Sequence, residues 1–226
     1  MPQLVELKAA RPLASGAYRD VFQHPGDDGL LIKVIRPLFV ERDARRANWF
    51  EKWQGLGAYK SLMREIEKYL VLRERGQHDL PFIQHFAGIV ETDLGLGMVV
   101  RKVRARDGGL APTLAEIVRT RGLDPDLVAR IDALRDDVIR HHVVFGDISA
   151  NNIVEAADAE HGHRLVIIDG LNDRLWLPVN SLSVTFYRAY CDRRFARMMD
   201  MLRTVDLSRE TPMVVPASGR QGLPQG

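Results

Sequence analysis

One cysteine, Cys191, is all that the 226 residues contain, so no disulfide forms within the chain and a reducing compartment suits it. Long apolar runs are missing as well. No stretch approaches the roughly 20 residues of a membrane-spanning helix, and Met1-Pro2-Gln3 lacks the apolar core of a secretory signal. These absences point to a cytoplasmic protein without a membrane span. No sign of charge dominates: 32 Lys and Arg face 30 Asp and Glu, a net of +2. Acids and bases alternate throughout, which excludes the electrostatic footprint of a nucleic-acid binder. Repeats are absent too, and with them a solenoid. What remains is a globular composition, 46% hydrophobic and 27% charged, long enough for one sizeable domain or two small lobes. Oligomeric state is left open.

Chemistry concentrates in the stretch from Val143 to Val154. An apolar run delivers Asp147, a short polar loop follows, and Asn152 opens the next apolar run. A Gly/His loop leads to a second strand-like run, Leu165-Val166-Ile167-Ile168, which ends in Asp169-Gly170. A solvated β-hairpin has the same outline. Phosphoryl transfer, however, needs a carboxylate to take the proton of a nucleophile and hard oxygens to hold Mg²⁺ on a polyphosphate. Asp, then Asn five positions on, then Asp-Gly after a hairpin resembles the way kinase-superfamily enzymes supply them.

The chain before this stretch reads as an antiparallel sheet. Leu4–Leu7, Leu13–Phe22 and Leu30–Ile35 are three strands, with His24–Gly29 a turn between the last two. Ser15 and Gly16 lie where small residues let a backbone approach phosphates closely. Lys33 is a lone charge in an apolar strand; it either snorkels from an edge or binds phosphate. Glu41–Trp53 has helical character and receives no chemistry. Tyr59–Arg75 is a clearer helix, with Leu62, Ile66, Tyr69 and Leu70 on one face and Gly76 as its stop. Glu65 and Glu67 flank the apolar stripe on opposite sides, and each is a candidate acid for Lys33.

Phe82–Glu91 and Gly97–Val103 form a hairpin around Asp93–Gly97, and Arg101–Gly109 then leaves the apolar pattern. That polar stretch is the place for a hinge, where strand-end amides near Arg104 are free to meet an adenine edge. Thr113–Arg121 and Asp124–His142 are helices capped by Thr113 and Asp124. His141 and His142 are adjacent on a helix end, so they do not converge on a metal. Asp173 is a turn residue or a further acid, Leu175–Pro178 is strand-like, and a helix runs from about Ser181 to Leu202. From Ser208 the composition is that of a mobile tail.

The order of these features resembles the protein-kinase-like fold. More narrowly, the chain resembles the YrbL family of the PhoP regulatory network. Gly16 with Arg19, His24-Pro25, Ile32-Lys33-Val34, Arg64-Glu65 with Tyr69, Gly88–Asp93 with Gly95 and Gly97, Thr113-Leu114, Asn152-Ile153 and Leu177-Pro178 carry that match. The resemblance implies an α+β, two-lobed fold: an N-terminal lobe over 1–104, a reduced, mainly helical lobe over 105–207, and a flexible tail over 208–226. It implies ATP and Mg²⁺ as cofactors and an unidentified hydroxyl-bearing acceptor. Asp147 and Lys33 would be catalytic; Ser15, Gly16, Lys33, Glu65 and Arg104 would serve the nucleotide; Asn152 and Asp169 would hold the metal. The departures are Phe145-Gly146 where His-Arg is usual, Gly170 directly after Asp169, and no A-P-E sequence. They suggest a constitutive site for a small or sugar-like acceptor. The alternative is a catalytically weak, kinase-shaped binding or regulatory protein.

Overall fold

The computed structural model describes residues 4–16, 18–46, 59–77, 79–158, 162–171 and 184–210. Its N-terminal sheet is five-stranded and antiparallel throughout. Strand β1 (Ala14–Ser15) pairs with β2 (Arg19–Gln23), and β2 with β3 (Leu30–Ile35). Leu13–Phe22 is therefore two strands and not one. The small residues let the chain fold back, and the Gly16 N–H donates to the Arg19 carbonyl at 2.9 Å. Strands β4 (Phe86–Thr92) and β5 (Gly95–Arg101) complete the sheet in the order β1-β2-β3-β5-β4. Gly97 is a place where only hydrogen fits, since a Cβ there would stand 2.5 Å from Ile32 Cγ2.

Leu4–Leu7 is not a strand. Val5 makes one parallel bridge to Thr92, and the Asp93 carboxylate takes the Leu7 N–H at 2.7 Å and that of Lys8 at 3.1 Å. A side chain here supplies the acceptor that a strand neighbour would otherwise provide. Thr92 tightens the same turn: its hydroxyl donates to the Gly95 carbonyl at 2.6 Å and accepts from the Leu94 N–H. Glu91–Gly97 is thus a latch between the chain start and the β4–β5 hairpin.

Helix α1 (Pro37–Arg46) begins at the proline itself, as suits a residue lacking an N–H. Residues 47–58, with the rest of the expected Glu41–Trp53 helix, lie outside the described residues. Helix α2 (Lys60–Glu74) buries Leu62, Glu65, Ile66, Tyr69 and Leu72. Rotating the helix to bring Glu65 inward carries Leu70 outward, where it is 51% exposed. Helix α3 (Leu114–Arg121) starts with a full capping box between Thr113 and Glu116. Helix α4 (Pro125–Arg140) is capped by Asp124, whose carboxylate accepts the Leu127 N–H at 2.7 Å. It stops short of the expected His142, which adopts a left-handed φ of 51°.

Strands β6 (Ile153–Asp158) and β7 (Gly162–Ile167) form the second hairpin, and Ile167 bridges to Ile83 beside the first sheet. Helix α5 (Val184–Glu210) runs past Leu202 and past the expected tail boundary at Ser208; no breaker occurs before Pro212. Leu175–Pro178 and Asp173 lie outside the described residues. Leu31, Leu62 and Met98 share one apolar cluster with Leu127, Ile153, Tyr187 and Leu202, so the two halves have a common core. Among the described residues no helix is long and apolar enough to cross a membrane.

The latch has a pH signature. The Leu7 N–H holds the Asp93 carboxyl below its ordinary value, with lesser help from Lys8 and against desolvation. A depressed folded value means stabilisation present above about pH 3.9, the unfolded Asp value, and lost as pH falls through the folded one. Backbone amides of Leu7 and Lys8 should lose hydrogen-exchange protection over that acid range in the wild type. In Asp93→Asn they should already exchange faster at neutral pH; unchanged protection there would remove Asp93 from the latch.

Candidate active site

Lys33 lies on β3, an interior strand flanked by β2 and β5, and is 5% exposed. It has no edge from which to snorkel. Strand alternation puts Leu31, Lys33 and Ile35 on one face, toward α2 and the main core, and Ile32 and Val34 on the other. Its Nζ donates to the carbonyl of Ile168, immediately before Asp169. Burial pulls the Lys33 ammonium down, and Asp169 and then Glu65 oppose that pull.

Of the two candidate acids, Glu65 is fully buried and Glu67 is exposed. The partner of Glu65 is not the one expected. Its Oε2 accepts from Arg19 Nη1 at 2.5 Å, and among the described residues no ion pair joins Glu65 to Lys33. The same Arg19 nitrogen is 3.8 Å from Asp169 Oδ1, and Nη2 is 3.5 Å from the Ser61 hydroxyl. Arg19 is itself 7% exposed. Burial pulls its guanidinium down, but Glu65 and Asp169 outweigh that and keep it charged. Burial pushes the Glu65 carboxyl up while Arg19 draws it back. The choice of partner follows from register: Arg19 pairs with Ile35 and Val21 with Lys33, so Arg19 projects from the face that carries Lys33. Period-two alternation back from Val21 was the sequence signal for Arg19.

The second half of the site is a loop tied to the Asp-Gly corner. Asn152 Nδ2 lies 3.3 Å from Asp147 Oδ2 and 3.4 Å from the Asp147 carbonyl. The Ile168 N–H donates to the Asn152 carbonyl at 2.8 Å, and the Gly146 N–H to that of Gly170 at 3.0 Å. Asp169 Oδ1 accepts the Gly170 N–H at 2.7 Å. Gly170 has φ 94°, and a Cβ there would run into the Asp147 carbonyl oxygen. This contact explains why glycine, with no larger residue between, follows Asp169. Phe145 fills a buried place before the loop. Tyr187 reaches the Val143 carbonyl at 2.7 Å and that of Val138 at 3.1 Å, and Tyr190 donates to Phe145 at 3.0 Å. These two tyrosines, one turn apart on α5, hold the loop from below and were not singled out by sequence.

The remaining candidates sit apart from this cluster. Ser15 and Gly16 form the exposed β1–β2 turn; a Cβ on Gly16 would meet only the Arg19 carbonyl, at an ordinary 3.5 Å. The Arg104 guanidinium is engaged by Asp28 at 3.1 Å and by the Gly108 carbonyl at 3.2 Å. In the hinge, the Lys102 and Ala105 N–H groups donate to Gly29 and Gly109, and the Arg104 carbonyl accepts from Ala157. These groups are paired because the linker keeps bridging to its neighbours, while among the described residues the Val103 and Arg104 N–H groups have no backbone acceptor. His141 lies tilted against Phe82, and His142 stacks on Tyr187.

A divalent cation has two hard donors to choose from, Asp169 and the Oδ1 of Asn152, whose Nδ2 is the atom turned to Asp147. Among the described residues no three His, Cys, Asp or Glu side chains come together. Mg²⁺ keeps several waters and takes the rest from one or two carboxylates and substrate phosphates, so the donor set fits that ion.

The succession of sheet, strand lysine, helix glutamate, linker, Asp147–Asn152 loop and Asp169-Gly170 is the one expected from the sequence. The family described as PhoP regulatory network protein YrbL matches residues 5–203. The YrbL protein of Escherichia coli (strain K12) is 24% identical over 184 residues, which cover 80% of this chain and 79% of its own. That of Shigella flexneri matches to the same extent. Among solved structures, Rad53 1–466 in complex with AMP-PNP aligns with a TM-score of 0.49 and 15% identity. That alignment covers 87% of this chain but 46% of the Rad53 chain, less than half its length.

Gly170→Ala should be costly on two counts. A left-handed backbone is worth about 1–3 kcal/mol to a residue with a Cβ, and the Asp147 carbonyl must also move. Gly108→Ala isolates the first cost, because its φ is 81° and nothing lies within 4 Å of its Cβ. Urea midpoints should fall further for Gly170→Ala than for Gly108→Ala. Equal shifts would mean that the loop yields without strain.

Proposed function

The chain belongs to the YrbL family, and for this member we propose an ATP- and Mg²⁺-dependent phosphotransferase acting on a hydroxyl-bearing small molecule. One observation carries the proposal: Lys33, Asp147 and Asn152 all converge on the backbone from Ile168 to Gly170, beside Asp169. Phosphoryl transfer asks little covalent chemistry of a protein and much positioning and charge placement. Lys33 has three donors and uses one on a carbonyl, which leaves others for a phosphate. Asn152 and Asp169 would hold Mg²⁺, which when bound offsets charge on the phosphates.

Asp147 is exposed on a loop fixed by Asn152 below and Tyr190 behind. It is the carboxylate that an incoming hydroxyl can meet. Such a positioned base contributes about 10²–10⁴-fold in rate. Gly16 has no need to be glycine for the protein's own packing, and close approach of a phosphate gives the β1–β2 turn a reason for it. With its side chain committed to Asp28, Arg104 would serve the nucleotide through its backbone. Phe145-Gly146 offers no arginine for a phosphorylated activation segment, which favours a small, sugar-like acceptor over a protein.

A second reading has its own support. Arg19 and Lys33 are both engaged with protein groups, as in a kinase-shaped binding protein with weak transfer. Metal-dependent ATP hydrolysis by the purified chain separates the two.

ATP should raise the melting temperature far more with Mg²⁺ than with chelator, since a hundredfold excess over Kd stabilises by about 2.7 kcal/mol. Equal shifts would remove Asn152 and Asp169 as ligands. Asp147→Asn should lower turnover by about 10²–10⁴-fold and keep Mg²⁺–ATP binding. Asp169→Asn should weaken both together. If Asp147→Asn loses ATP binding as badly as Asp169→Asn does, Asp147 is not the base.

A further inference from the structure

The two oxygens of Glu65 are differently employed. Oε2 accepts from Arg19 at 2.5 Å, while Oε1 is buried and has no hydrogen-bond partner among the described residues. Lys33 is in the complementary position, with one bond to the Ile168 carbonyl and none to Glu65. Arg19 and Lys33 are diagonal neighbours on one sheet face, since Arg19 sits opposite Ile35 and Lys33 opposite Val21. Diagonal pairs of long side chains reach a common partner.

A buried carboxylate without a cation is costly enough to neutralise or to unseat its helix. Here the cation comes from β2. The planar guanidinium fork stays charged at any relevant pH and makes several directed bonds at once. It spans one turn of α2, touching Ser61 at 3.5 Å and Glu65 at 2.5 Å. An ammonium tied to Ile168 makes neither contact.

We infer that Arg19 is the positioning residue of this site: Arg19, and not Lys33, anchors Glu65 and sets the rotation of α2. This anchor stands without any ligand. Helix α2 is accordingly docked before nucleotide arrives, and loss of the lysine does not release it.

Hydrogen exchange on the full ligand-free chain tests the anchor. Lys33→Met should leave amide exchange across Leu62–Tyr69 within about twofold of wild type, and Arg19→Met should speed it by about tenfold or more. Arg19→Met/Glu65→Met should return it to within about threefold, because an apolar pair leaves no charge stranded. This double variant and Arg19→Lys keep the test open if Arg19→Met does not fold. Arg19→Lys retains the charge without the fork and should exchange at an intermediate rate. Should Lys33→Met loosen α2 as much as either Arg19 single variant does, or should both leave it unchanged, the anchor is overturned.

Discussion

A carboxylate packed between a helix and a sheet must have a cation within bonding distance, and Glu65 meets that condition through Arg19 at 2.5 Å. The rest of the site hangs on this pair. Leu62, Ile66, Tyr69 and Leu72 bury α2 against the core, yet apolar contacts alone tolerate a range of rotations. A two-point contact from one guanidinium to Ser61 and Glu65 does not. Buried ion pairs are weak sources of net stability, and a well-packed apolar pair often does better. Arg19 and Glu65 are thus better understood as orienting α2 than as stabilising the lobe. Two cations and two carboxylates, Arg19, Lys33, Glu65 and Asp169, gather on one face of the sheet with no net charge among them.

The backbone from Ile168 to Gly170 is the joint between the halves. The Ile168 carbonyl takes Lys33 from the sheet, the Ile168 N–H reaches Asn152, and the Gly170 carbonyl takes the Gly146 N–H. The corner has no room for a Cβ at Gly170, where the Asp147 carbonyl closes it. Tyr187 and Tyr190 hold the loop's approach from α5 with hydroxyls that bond to carbonyls. The loop is thereby set by hydrogen bonds from permanently packed elements. In kinase-like proteins that carry an arginine before the catalytic Asp, a phosphorylated segment can do this work; here Gly146 stands directly before Asp147, and Phe145 before it is buried.

Much of this protein was legible in its residues. Capping at Thr113 and Asp124 is written within a single turn of chain. A lysine inside an apolar strand marks itself, and Asp147, Asn152 and Asp169-Gly170 stand at spacings that one loop and one hairpin set. Periodicity located α2 and the β4–β5 hairpin for the same reason: each depends on residues a few positions apart. The tertiary structure decided what depends on separation. Arg19 and Glu65 are 46 positions apart, and only sheet register and helix rotation together make them partners in place of Lys33 and Glu65. That rotation also chose Glu65 over Glu67 and put Leu70 outside. Leu4–Leu7 had the composition of a strand, but Asp93, 86 positions from Leu7, took the amides that a strand neighbour would have bonded. Local chemistry determines which elements form, and long-range packing determines which charges meet.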